Sequence, residues 1–106
     1  MLKGHLDGLL LATLTDGPRH GYAIKEALRT GSGGRFDLPT GTVYPALRRL
    51  ERAALLSGTW STVGGRERRT YTLTRAGRHA LAGQRADWTE FSAVVDAVLR
   101  PAAGTS

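Results

Sequence analysis

Residues 40–54 read TGTVYPALRRLERAA, and residues 60–73 read WSTVGGRERRTYTL. These two stretches decide the fold. At 100° per residue, Val43, Ala46, Leu47, Leu50 and Ala54 fall within about 60° of one direction. The first stretch therefore predicts a helix from Gly41 to Ala54, with Thr40 as its N-cap. Pro45 lies near the first turn, where a missing N–H is tolerated. The opposite face holds Gly41, Tyr44, Pro45, Arg48 and Arg52, a surface both aromatic and cationic. In the second stretch, β-branched and aromatic residues flank Gly64-Gly65, which suits a two-residue hairpin turn. Arg66, Arg68 and Arg69 cluster beside that tip.

Working outward, Leu2, Leu6, Leu9, Leu10 and Leu14 keep helical spacing. Thr15-Asp16-Gly17-Pro18 then stops that helix. A second helix is predicted from His20 to about Thr30, burying Tyr22, Ala23, Ile24, Ala27 and Leu28. Gly31-Ser32-Gly33-Gly34 ends it and reads as a flexible turn. No strand precedes this glycine run and no GK[ST] follows, so it is not a phosphate-binding loop. Phe36 to Thr40 is an extended connector. On the C-terminal side, Thr74 is expected to cap a long helix from Arg75 to Leu99, ended by Pro101.

The order is helix, helix, helix, hairpin, long helix. This predicts a mainly α chain with a small β-hairpin: a winged helix-turn-helix plus a C-terminal dimerisation helix. Residues 1–73 form the expected DNA-binding domain, 74–100 the dimerisation helix, and 101–106 a disordered tail. A major groove about 12 Å wide admits one α-helix. An arginine-bearing hairpin tip beside it can enter the minor groove or lie on phosphates.

Composition narrows the function. With 106 residues, 41% of them hydrophobic, the chain can bury one modest core. No apolar run approaches the roughly 20 residues of a membrane span. Cysteine is absent, which excludes disulfides, thiolate metal sites and Cys nucleophiles. A cytoplasmic location is the simplest expectation. The formal net charge is +6, and residues 41–72 carry net +4, from six Arg against two Glu. A local basic block of this kind suits a polyanion partner. His5, His20 and His79 lack the i, i+4 pairing of a helical metal site, and no G-x-S-x-G is present. No metal, no cofactor and no catalytic activity are expected.

The last helix has its own period. Leu81, Trp88 and Val95 recur every seven residues, as do Gln84, Phe91 and Val98. Such a seam is coiled-coil-like and must be buried against something. A partner subunit and the chain's own domain are the two candidates.

Three stretches carry a family resemblance: Gly17–Ile24 (GPRHGYAI), Leu38–Glu51 (LPTGTVYPALRRLE) and Gly65–Gly77 (GRERRTYTLTRAG). In these the chain resembles the PadR family of transcriptional regulators, in its short form with a single C-terminal helix. One departure is Pro39-Thr40, where the family usually has Ser-Pro. The resemblance implies that Thr40, Gly41, Thr42, Tyr44, Pro45 and Arg48 meet DNA in the major groove. It maps Arg66, Arg68 and Arg69 to the wing. Tyr22 is either a phosphate neighbour or a core tyrosine, and Arg49 either binds phosphate or supports the surface. The resemblance also implies a homodimer through Leu81, Gln84, Trp88, Phe91, Val95 and Val98, helped by Leu6 and Leu10. Trp88, with Phe91 and Gln84, is either a wall for a flat aromatic effector or a packing residue. The expected function is a homodimeric repressor reading an inverted-repeat operator in double-stranded DNA and released by a small effector. A DNA-binding regulator without an effector, a basic RNA-binding protein and a protein–protein adaptor are the alternatives.

Overall fold

In the computed structural model the backbone is described for residues 2–101 and the side chains for residues 5–101. The tail from Ala102 onward, expected to be disordered, lies outside the described residues. Helix α1 spans Leu2–Ala12, strand β1 Arg19–His20, helix α2 Gly21–Gly31 and helix α3 Thr40–Arg52. Strands β2 (Leu56–Val63) and β3 (Arg66–Leu73) follow, then helix α4 (Arg75–Leu99). The sheet is antiparallel, in the order β1-β3-β2. Among the described residues no helix is long and apolar enough to cross a membrane.

One core holds the molecule together. Leu10 and Leu11 of α1, Ile24 of α2, Val43, Leu47 and Leu50 of α3 and Leu56 of β2 are wholly buried. The helical spacing of these apolar residues is what turns three helix faces toward each other. Truncating any one of the leucines to alanine should cost about 2–5 kcal/mol. Tyr71 and Leu73 of β3 and Leu81 of α4 close the same cluster.

The helix ends differ from their expected forms in instructive ways. Thr40 does not cap α3; it is the first helical residue. Pro39 takes the N-cap position, and its carbonyl accepts from Thr42 N and Val43 N at 2.9 and 3.1 Å. Proline fits there because its restricted φ, −73° here, is compatible with extended backbone. The glycine run after α2 is a defined cap rather than a flexible turn. Gly33 N donates to Thr30 O and Gly34 N to Arg29 O, with Gly33 at φ 65°. That is a Schellman ending with glycine in its left-handed position. At the start of α4 the expectation holds: Thr74 Oγ1 accepts from Gly77 N at 2.9 Å.

The hairpin is longer than its sequence suggested. Strand β2 begins at Leu56, four residues before Trp60, and Gly64-Gly65 turns with φ 58° and 79°. Two positive φ angles mark the twist-matched two-residue turn that glycine favours. The short strand β1, absent from the sequence reading, pairs Arg19 with Tyr71 and His20 with Thr70. Two residues carry too little pattern to register as a strand.

Candidate nucleic-acid interface

Helix α3 and the hairpin enclose an open groove of about 680 Å³. Its lining includes Tyr22, Tyr44, Arg48, Arg52, Trp60 and Arg68. The apolar face of α3 is spent on the core, so Arg48 and Arg52 on the opposite face are exposed. Among the described residues, neither of these two, nor Arg66 or Arg68, takes part in an ion pair within the chain. With Glu67 the one unpaired carboxylate on its lining, the groove presents net positive charge.

The structure separates the expected DNA-facing residues into three kinds. Gly41, Thr42, Pro45 and Arg48 are exposed on the outer side of α3, with Thr40 at its head. Tyr22, one of two readings for which was a core tyrosine, is exposed. Tyr44 is only half open. Its ring lies over Gly21, where an added Cβ would come within 2.5 Å of the ring. Helix α2 can approach α3 this closely because position 21 has no side chain.

Two arginines are committed inside the molecule. Arg49 pairs with Asp7 of α1, which ties α3 to the first helix. Arg69 forms a two-point hydrogen-bonded pair with Glu51 of α3, through Nε at 3.1 Å and through Nη2. This pairing holds the Glu51 carboxyl below its usual range and lifts the Arg69 guanidinium further above its own. Arg69 was expected beside Arg66 and Arg68 as one cluster. It is instead drawn to Glu51 on α3, while Arg68, its neighbour on the strand, still reaches the groove wall without an ion pair. Beneath the groove, burial holds the Tyr71 phenol above its usual range, with the nearby Glu51 charge adding to the effect. Tyr71 stays neutral as part of the floor.

A second groove, about 920 Å³, lies between α1 and α4. It brings Gln84, Trp88 and Phe91 together, as the seven-residue spacing implied. Trp88 meets His5 edge-on at 5.2 Å and Phe91 at 5.9 Å between ring centroids. Gln84 lies against Gly8 of α1. Three residues expected at a subunit interface are placed differently. Leu10 (0% exposed), Leu81 (5%) and Leu6 are buried in the protomer's own core. The reason is that the first turns of α4 lie on α1 of the same chain. Farther along, Trp88, Phe91, Val94, Val98 and Leu99 are open to solvent, and Val95 partly so.

The family model that matches the chain is the PadR-like family of transcriptional regulators, over residues 10–83. The chain belongs to this family. PadR-like proteins are transcriptional regulators and not enzymes. A transcriptional regulator of Mycobacterium tuberculosis is 40% identical over 67 residues, covering 63% of this chain and 50% of its own. A PadR-family regulator from Eggerthella lenta matches with a TM-score of 0.80 at 31% identity, over 92% of this chain and 84% of that one. PadR of Bacillus subtilis, solved in complex with operator DNA, matches with a TM-score of 0.68 at 26% identity, over 79% and 47%. The PadR-like match ends at residue 83, so Trp88 and Phe91 lie beyond it.

Sequence reasoning missed Trp60, Glu51 and the commitment of Arg69. The opposition of Trp60 and Arg69 could have been found, since a two-residue turn at 64–65 sets the register by counting. The Glu51–Arg69 pair joins elements 18 residues apart and has no local signal.

Proposed function

We propose that this chain is a homodimeric transcriptional repressor that binds an inverted-repeat operator in double-stranded DNA. The observation that carries the reading is the groove between α3 and the hairpin, with Arg48, Arg52 and Arg68 on its walls, none of them in an ion pair among the described residues, against the one unpaired carboxylate of Glu67. Helix α3 suits the major groove, with Arg48 the residue placed to read a base edge. Arg66 and Arg68 on the wing suit phosphates. That the Bacillus subtilis relative was solved in complex with operator DNA supports the DNA-binding reading. A gel shift with the DNA upstream of the chain's own gene, against an equal mass of RNA, tests it. Retention of the duplex alone supports the reading, and equal retention of RNA refutes it.

The exposed outer stripe of α4 is the dimer surface. Trp88 (51% exposed) and Val98 (78%) leave apolar area in water that a second α4 would cover. The release signal is a flat aromatic effector seated against Trp88 and Phe91. It releases DNA only by binding the DNA-incompetent arrangement more tightly. Quenching of tryptophan emission by planar compounds, abolished in Trp88→Ala, tests this part. If no such compound perturbs Trp88, the reading contracts to a DNA-binding dimer without an effector.

A further inference from the structure

The hairpin carries an exposed indole that adds no charge to the groove it borders. Trp60 is 61% exposed, yet it is not loosely held. Its cross-strand partner is Arg69, whose guanidinium sits 5.1 Å from the ring centroid. That guanidinium is gripped in turn by both oxygens of Glu51. Glu51 stands on α3 among the turns that bear Arg48 and Arg52. A continuous stack, Glu51–Arg69–Trp60, therefore runs from the recognition helix to the wing. It leaves Arg69 without free charge and Trp60 with an uncovered ring surface on the wall of the basic groove.

An indole in this position has two things to offer DNA. Its flat apolar face suits a deoxyribose, and its Nε1–H can donate to a phosphate oxygen. Both are backbone interactions, which set position and carry no base information. We propose that Trp60 touches the DNA backbone, and that Glu51 and Arg69 are positioning residues that hold it at a set distance from α3. This rests on the DNA-binding reading under Proposed function.

The test uses the full chain and a mixed-sequence duplex at low salt, with binding followed by anisotropy of a labelled DNA end. Tryptophan emission of the unaltered protein should fall with the same midpoint as the anisotropy change. Trp60→Phe keeps a ring and should bind nearly as the parent does, but without that quench. Trp60→Ala should bind about 5–10-fold more weakly, the worth of one net interaction. Circular dichroism checks that each variant is folded. Glu51→Gln and Arg69→Lys both loosen the stack, since lysine lacks the two-point fork and the flat face. Each should reduce the quench amplitude; Arg69→Lys, which conserves charge, should also weaken duplex binding, whereas Glu51→Gln frees the Arg69 charge and is read by the quench. If Trp60→Ala binds as the parent does and the quench survives in Trp60→Phe, the role of Trp60 is overturned while DNA binding stands. If both variants keep the parent's quench and Arg69→Lys keeps its affinity, the positioning role is overturned. Failure of the unaltered protein to bind any duplex would instead sink the DNA-binding reading itself.

Discussion

Single positions show where this chain has no freedom and where it has some to spare. Gly77 sits in the first turn of α4, and an added Cβ would lie 2.0 Å from the Leu55 carbonyl oxygen. That oxygen is backbone and also accepts from Thr74 N, so it cannot yield. Gly77→Ala should cost about 1–3 kcal/mol, read as a lower thermal midpoint by calorimetry. Ala54 is the opposite case. It occupies the left-handed position of the Schellman ending of α3, at φ 63°. Glycine is at ease there, so Ala54→Gly should add about 0.5–1 kcal/mol in the same measurement, the left-handed penalty on alanine less the larger entropy glycine loses on folding. The wing arginines divide by what they already hold. Arg68→Ala should flatten the salt dependence of DNA binding by about 0.9 in log–log slope, the change expected when one phosphate is no longer neutralised. The double variant Glu51→Gln, Arg69→Gln removes a net-neutral pair, so it should weaken binding and leave that slope unchanged. Equal slope changes in the two variants would refute this division. Arg48→Ala should cost about 1–3 kcal/mol on a specific site and much less on random DNA.

Elements add what no single residue can. The hairpin has its register set by Gly64-Gly65, and that register places Trp60 opposite Arg69. The wing is then tied to α3 through the Glu51 carboxylate, and that tie responds to acid. A carboxylate whose folded pKa is lowered contributes stability that is complete above its unfolded value, near 4.5. The contribution is lost as pH falls through the lower, folded value. Unfolding midpoints of the parent and of Glu51→Gln should therefore differ at neutral pH and converge well below pH 4.5. A gap that widens on acidification would contradict the pairing. Helix α4 makes a different point. Its seven-residue period defines a face, and that face changes neighbour along its length. Leu81 meets α1 of the same chain, whereas Phe91 and Val98 meet solvent. Phe91→Asp should thus drive the proposed dimer toward monomer in sedimentation at micromolar concentration, with helix content retained.

For the whole molecule, the extents of 67 × 28 × 22 Å describe a compact head with α4 projecting from it. The radius of gyration is 16.8 Å, against about 13 Å for a compact domain of roughly this length. The far half of α4 is therefore not folded back on the domain. Two heads joined by that helix should present two copies of α3 about 34–36 Å apart, one helical turn of DNA. Binding-site selection should yield an inverted repeat with that half-site spacing, and a single unpaired half-site would count against the proposed dimer. Most of this architecture was legible beforehand. The apolar spacing of α1, α2 and α3, the Gly64-Gly65 turn and the Thr74 cap are local signals, each carried within a few residues. They specify elements, their order and the winged helix-turn-helix they compose. Partner choice was not legible, because it joins residues far apart in the chain. Periodicity marks a buried face without naming what buries it, so Leu10 and Leu81 could be assigned to a partner that their own core had already replaced. Charge in a sequence likewise does not say which arginines are spent. Only the packed chain brings Asp7 to Arg49 and Glu51 to Arg69, and so leaves Arg48, Arg52, Arg66 and Arg68 outside any ion pair among the described residues.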